Sequence, residues 1–362
     1  MFIIVQFTIA KSNPINPLKP GPAFKRAQSL DNGINISWLE QTWAKNIFTD
    51  NAPSVKDLEL LKILGFKSIR LPVAFAFIES KHIPLDNVFS KIDGIIKQCH
   101  TLGLKIIIDY HYGEINDENY LTETPKVINL WKVIVKRYSN ENADDLFFEL
   151  YNEPPHMSPA IWKDAIYNIV TALRKVDKVH TFIIGASNYN SIYELSRTEP
   201  LADKNVIYTS HFYEPFLFTH QGASWVGDQV ATIGVAFPYN AKNFPQINPK
   251  TKGTWGETNY YQYRTDGNER SLFDKLSIIK RWADKHNVPI ICTEYGVYNK
   301  YTDADSRCRY IKAMRQTLKK LNIPGILWEY NSNFSIFNGT PSLQTLPECM
   351  KDAIGYTGKK MM

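Results

Sequence analysis

Eight short apolar runs punctuate the 362-residue chain, and longer stretches with helical periodicity lie between them. The runs are GINIS (33–37), KSIRLP (67–72), LKIIIDYHY (104–112), LFFELYNEP (146–154), TFIIGAS (181–187), NVIYTSHFYE (205–214), PIICTEY (289–295) and GILWEYN (325–331). Several are β-branched or continuously apolar, the pattern of parallel strands buried on both faces. Segments 54–65, 87–102, 125–139, 159–177, 272–286 and 305–322 predict helices, and an eighth is expected near 343–354. In the fourth of these, Ile161, Ala165, Ile169 and Leu173 recur on one helical face. The connection after the fifth strand is short and its helix weak. Strand–helix alternation with a count of eight predicts an α/β fold, a (β/α)8 TIM barrel, forming one domain over residues 30–362 behind a leader at 1–29.

One connection breaks the rhythm. Roughly 55 residues, 214–270, follow the sixth strand before the next clear helix, far more than a typical βα loop. They are rich in Gly, Pro, Asn and aromatics. Either they form an insertion with its own small substructure, or they wall or cover a binding cleft; the second reading is favoured because the loop starts at the barrel face that carries active sites.

Composition narrows the class. Hydrophobic residues make up 44% and charged residues 22%, which provides a core and argues against disorder. The net charge of +6 comes without a Lys/Arg block, so nucleic acid is not an expected partner. The opening MFIIVQFTIAKS is too short to span a membrane and lacks a basic start. It reads as the remnant of a signal peptide or as a disordered leader, and the first reading gives a secreted or periplasmic location as an expectation. No later segment reaches transmembrane length; neither a membrane partner nor an oligomer is expected. The four cysteines, Cys99, Cys292, Cys308 and Cys349, are scattered without a CxxC pair, which suggests neither a zinc site nor a disulfide framework. Cys292 reads as a buried free thiol.

Candidate chemistry sits at the strand ends, where barrels of this kind place it. Arg70 ends the second strand, His111 and Tyr112 the third, Asn152 and Glu153 the fourth, His211 and Tyr213 the sixth, Glu294 the seventh and Trp328 the eighth. Glu153 and Glu294 cap apolar strands on opposite sides of the barrel and should face one cavity, with room for a sugar ring between them. Glycoside hydrolysis needs two such carboxyls flanking one bond. Arg70, Tyr213 and His211 are the groups expected to hold Glu294 ionised, and the charge on Glu294 should keep a proton on Glu153.

These motifs together resemble glycoside hydrolase family 5, the cellulase and mannanase family of retaining (β/α)8 barrels. The resemblance rests on LFFELYNEP, PIICTEYG, IRLP, IIIDYHY, SHFYEP, ILWEY and the opening NGINISWLEQ, and covers roughly residues 30–355. It implies that Glu153 is the acid/base, Glu294 the nucleophile, Asn152 the partner of the sugar 2-hydroxyl, and Arg70 and Tyr213 the partners of the nucleophile. It further implies that His111 and His211 line the sugar site and that Trp328 forms the platform under the sugar ring. A retaining endo-β-1,4-glucanase acting on a β-linked polysaccharide, without cofactor or metal, is the expected function. Tyr112 and the loop residue Trp225 join the substrate-binding set.

The competing readings are specific. Arg70 could serve structure alone by pairing with Glu149 or Asp109, which lie within strands. Trp131, Trp162 and Trp282 fall at helical positions and read as packing; Glu214 reads as loop structure. The same site could serve a β-mannanase, a xyloglucanase or an exo-β-glucosidase. A metal-dependent barrel hydrolase using His111, His211 and a glutamate is weakened by the lack of an HxH pair. A barrel that binds sugar without cleaving it is disfavoured because both carboxyls are present.

Overall fold

The computed structural model describes residues 21–358. Eight parallel strands close into a barrel in sequence order: β1 (Gly33–Asn35), β2 (Ser68–Val73), β3 (Lys105–Tyr110), β4 (Leu146–Glu149), β5 (Phe182–Gly185), β6 (Val206–His211), β7 (Ile290–Tyr295) and β8 (Gly325–Leu327). All eight predicted strands are present, and β1 pairs with both β2 and β8. Helices Val55–Ile63, Leu85–Leu102, Tyr120–Arg137, Pro159–Arg174, Glu269–His286, Ala304–Lys320 and Glu348–Ile354 fall where helical periodicity predicted them. Between β5 and β6 the chain makes only the short turns Ser187–Asn190 and Ile192–Leu195, in keeping with the weak signal there.

Alternation along the strands divides the interior into layers. At the N-terminal end Ile107, Phe147, Ile183, Ile207, Ile291 and Ile326 form one buried apolar cluster, which Ala23, Ala27 and Leu30 complete. Ala23 and Ala27 belong to helix α1 (Pro22–Ser29), and the Ser68 hydroxyl donates to the Leu30 carbonyl at 2.7 Å. The expected leader at 1–29 therefore needs correction: its last turns are the floor of the barrel. Two alanines on one face allow that helix to pack closely, and helical periodicity over only eight residues gave a faint signal. The MFIIVQFTIAKS segment lies outside the described residues.

Outward-facing strand residues such as Ile106, Ile108, Phe148 and Ile184 pack under the helices in the main core. Trp131, Trp162 and Trp282 are buried there, each indole N–H donating to a backbone carbonyl (Leu150, Gly185 and Thr198). Cys308 and Cys349 form a disulfide with Cα atoms 5.6 Å apart, joining helix Ala304–Lys320 to helix Glu348–Ile354. The scattered spacing gave no hint of this pair, because the two helices meet only in the fold. Cys99 and Cys292 are buried free thiols.

The long connection after β6 is a folded insertion. It holds helix Trp255–Asp266, short turns at Asp228–Val230 and Pro249–Thr251, and its own aromatic packing among Tyr239, Phe244, Tyr260 and Tyr263. The Tyr310 hydroxyl bonds the Glu214 carbonyl at 2.9 Å and the Arg309 guanidinium bonds the Phe237 carbonyl at 2.7 Å, tying the insertion to helix Ala304–Lys320. Glu214 itself takes an ion pair from Lys275, consistent with a loop-structural role. Among the described residues no helix is long and apolar enough to cross a membrane.

Candidate active site

Two residues beyond the apolar floor, the same inward-facing positions turn polar: Asn35, Arg70, Asp109, Glu149, Thr209 and Thr293, all fully buried. Arg70 organises this layer. Its Nε and Nη2 clamp Glu149 at 2.7 and 2.9 Å, Nη1 reaches Asn35 at 2.9 Å and Glu294 at 2.7 Å, and Nη2 also meets Asn152 at 2.8 Å and Asp109 at 3.1 Å. Arg70 thus does both jobs between which the sequence left a choice. Burial opposes its charge, but Asp109, Glu149 and Glu294 together hold it protonated far above the ordinary range.

Glu294 follows the inward-facing Thr293, so strict alternation would turn it away from the cavity. The β6–β7 register shifts between Ser210 and His211, and the β7–β8 register between Cys292 and Tyr295. Such irregularities re-aim side chains at barrel rims. Here both Thr293 and Glu294 face inward: Glu294 Oε1 accepts from Arg70 and Oε2 from the Tyr213 hydroxyl at 2.8 Å. On the opposite wall Glu153 has φ +42°, a left-handed backbone uncommon for a glutamate, just after β4. Its Oε1 lies 2.7 Å from His211 Nδ1, which is also 3.4 Å from Glu294 Oε2. One oxygen of each glutamate and a nitrogen of His211 all lie within 4.8 Å of one another.

The two carboxyls differ in surroundings. The Glu294 side chain is 5% exposed and accepts from two donors; that of Glu153 is 32% exposed and, among the described residues, hydrogen-bonds His211 alone. Burial raises both above the usual carboxylate range; Arg70 and His111 act against it at each, His211 also does so at Glu294, and the charge of Glu153 adds to the rise at Glu294. The hydrogen bonds distinguish them: Arg70 and Tyr213 both donate to Glu294 and favour its bare carboxylate, whereas Glu153 meets a single ring nitrogen and is the better seat for a proton. Burial lowers His211 and His111 to about 4, so both are neutral at pH 7.

The remaining predicted residues line the mouth. His111 Nδ1 lies 2.7 Å from Asp109 Oδ2, and its ring stacks on Trp328 at 5.8 Å with planes 8° apart. Asn152 sits between Arg70 and His111, 2.8 Å from the one and 3.5 Å from the other. Tyr112, also left-handed (φ +57°), packs edge-on to His111 with its hydroxyl 2.8 Å from Glu40. Trp225 is 55% exposed and does not touch the glutamates; it stands edge-on to Tyr298 at 4.8 Å. His220 links it to Tyr213, with ring centroids 6.5 and 4.9 Å away.

Sequence reasoning missed Glu40, Asn190 and Glu329. Glu40 is buried in the loop after β1, and burial, opposed by the Tyr112 hydroxyl and reinforced by Glu329, Glu294 and Asp109, pushes it up to about 8. Glu329 accepts from Ser37 at 2.7 Å and from the backbone of Asn331 at 3.0 Å. A glutamate inside WLEQ or WEY adjoining residues already singled out was the available signal.

Glu153, His211 and Glu294 also present enough ligand atoms for a metal ion. Their hydrogen bonds favour proton chemistry: both Glu294 oxygens accept from Arg70 and Tyr213, and a cation there would sit against the guanidinium. Two carboxyls with an oxygen of each within 4.8 Å of the other, in different hydrogen-bond surroundings at the C-terminal mouth of a (β/α)8 barrel, have the spacing of a retaining glycoside hydrolase. Residues 28–334 match the cellulase model of glycosyl hydrolase family 5, and the chain belongs to that family.

The chain is also similar to proteins named endoglucanases. The chain is 31% identical over 374 residues to Endoglucanase 3 of Fibrobacter succinogenes, covering 96% of itself but 56% of that longer protein. It is 29% identical over 334 residues to Endoglucanase C of Acetivibrio thermocellus, covering 86% of itself and 94% of the relative. The crystal structure of the endoglucanase Cel5A from Thermotoga maritima superposes with a TM-score of 0.74 at 26% identity, over 92% of this chain and 99% of that one. That enzyme has also been crystallised with cellobiose and with mannotriose.

Proposed function

We propose that this chain is a retaining endo-β-1,4-glucanase in which Glu294 is the nucleophile and Glu153 the acid/base. The observation that carries the reading is the asymmetry of the two glutamates: Glu294 is held ionised by Arg70 and Tyr213, while Glu153 keeps an open side toward solvent. A Glu294 oxygen attacks the anomeric carbon as the bond to the leaving sugar breaks, and Glu153 gives its proton to the departing oxygen. Once Glu294 is an ester its negative charge is gone, and a charge on Glu153 no longer has a carboxylate beside it. Glu153, now a carboxylate, takes a proton from water as the water oxygen attacks the anomeric carbon and frees Glu294. Trp328 and His111 supply a flat wall for the sugar on one side, and Asn152 an amide for its 2-hydroxyl. Trp225, beyond His220 and Tyr213, supplies a stacking face farther along the cleft.

Relatives named endoglucanases support β-glucan as substrate. The mannotriose complex of the Thermotoga enzyme gives a specific reason to carry β-mannan as a second reading. NMR of products from defined β-1,4-gluco- and manno-oligosaccharides separates the two. The expected result is internal cleavage of the glucan with the β-anomer appearing first; an initial α-anomer, or turnover of mannan alone, overturns the proposal. We place the enzyme outside the cytosol, a location that the Cys308–Cys349 disulfide supports.

A further inference from the structure

The turn after β5 is built from three consecutive left-handed residues, Asn188, Tyr189 and Asn190, with φ of 58°, 60° and 54°. Asparagine tolerates this conformation; a tyrosine seldom adopts it. The backbone N–H groups of Asn188 and Tyr189 donate to the carbonyls of Pro155 and Pro154 at 3.0 and 2.8 Å, so the turn is pinned to the loop that follows Glu153. The third residue, Asn190, is fully buried, and its Nδ2 lies 3.2 Å from His211 Nε2.

Two contacts fix the orientation of that amide. A Cβ at Gly185 would lie 1.9 Å from Asn190 Oδ1, so this oxygen rests against the glycine Cα, a C–H surface, and finds no hydrogen-bond donor among the described residues. An NH2 group placed there would waste two donors, so the oxygen belongs at Gly185 and the nitrogen at His211. From the other side, His211 Nδ1 faces Glu153 at 2.7 Å and Glu294 at 3.4 Å, two oxygens that call for an N–H. Nε2 is then the lone-pair nitrogen and needs a donor. The Thr293 hydroxyl, 3.1 Å away, has one proton and is shared with Thr209 at 2.6 Å and Glu149 at 3.5 Å, whereas Asn190 has only N–H to offer.

We propose that Asn190 is a positioning residue for the acid/base: by donating to Nε2 it fixes His211 as the Nδ1–H tautomer, so His211 donates to Glu153 instead of accepting from it. In the opposite tautomer the Nδ1 lone pair would take the Glu153 O–H as a hydrogen bond and hold the very proton that must reach the glycosidic oxygen. With Nδ1–H in place that proton stays free on the other carboxyl oxygen, and the same N–H stabilises the carboxylate left after transfer. Charged or titratable groups acting on His211 come from every neighbouring wall: Glu149 and Glu153 with β4, Glu294 on β7, Arg70 on β2 and His111 beyond β3. None of these reaches Nε2 within hydrogen-bond distance, so among the described residues Asn190 and Thr293 are the partners of that nitrogen.

The inference rests on Glu153 being the acid/base, and its test separates the two. In 15N NMR of the intact enzyme, with the His211 signals assigned by their loss in His211→Gln, Nδ1 is expected to carry the proton and Nε2 to be unprotonated; a protonated Nε2 overturns the proposal and needs no other variant to fold. Asn190→Leu and Asn190→Asp should each lower kcat/KM on cello-oligosaccharides about tenfold while changing an aryl cellobioside with an acidic phenol less than about threefold, because only the first needs a proton delivered. Equal loss on both substrates, or no loss, overturns it. Glu153→Ala on the same pair reports separately on the acid: absence of any leaving-group split there would overturn the role of Glu153 while His211 still shows its tautomer.

Discussion

The two ends of the barrel interior differ by one step of strand alternation and by almost everything else. Ile107, Phe147, Ile207 and Ile291 fill the floor; two residues on, Asp109, Glu149, Thr209 and Thr293 fill the next layer. The floor gains from burial at about 25 cal/mol per Å² of apolar surface. The upper layer crowds Asp109, Glu149 and Glu294 around the one guanidinium of Arg70, an arrangement in which desolvation offsets much of the attraction. The lower layer makes the barrel stable, and the upper layer uses that stability to hold charges that water would otherwise claim.

This division predicts that changes at the top are read in rate and changes at the bottom in stability. Glu294→Gln is expected to lower kcat by at least ~10³ through loss of the nucleophile, with Tm nearly unchanged. A near-normal rate, measured on cello-oligosaccharides, would break the assignment. At the floor, Phe147→Ala should cost about 3–5 kcal/mol in denaturant unfolding while kcat of the folded enzyme stays within about twofold. Tyr213→Phe removes one hydrogen bond to Glu294 and should slow turnover about tenfold without moving Tm; an unchanged rate would show that Tyr213 does not act on the nucleophile.

The smallest effect sharpens the comparison at Glu40. Its folded-state pKa of about 8 exceeds the ordinary 4.5, so the native state holds a proton that the unfolded chain releases. Stability from this residue is present below pH 4.5 and declines as pH rises toward 8. Glu40→Gln should flatten the fall of Tm between pH 5 and 8; an unchanged slope would mean that Glu40 is not the buried acid responsible.

Strand ends were legible in the sequence because a polar residue closing an apolar run has few places to point in a closed barrel. Arg70, His111, Asn152, Glu153, His211, Tyr213 and Glu294 were found in this way, and the structure brings all seven to one mouth. What escaped depends on three dimensions. The register shifts flanking Glu294 have no residue signature. The Cys308–Cys349 bond spans 41 positions and is decided by how two helices meet. Helix α1 was read as leader because two alanines look unremarkable until a barrel is placed above them, and Asn190 acts through a turn whose three left-handed residues no periodicity marks.

Helix α1 has a practical corollary. It packs on the apolar floor at the end of the barrel opposite the catalytic mouth, so Gly21, the first described residue, lies on that closed side. A support or tag joined to the face formed by helix α1 would leave the cleft pointing outward, free to meet a long insoluble polymer.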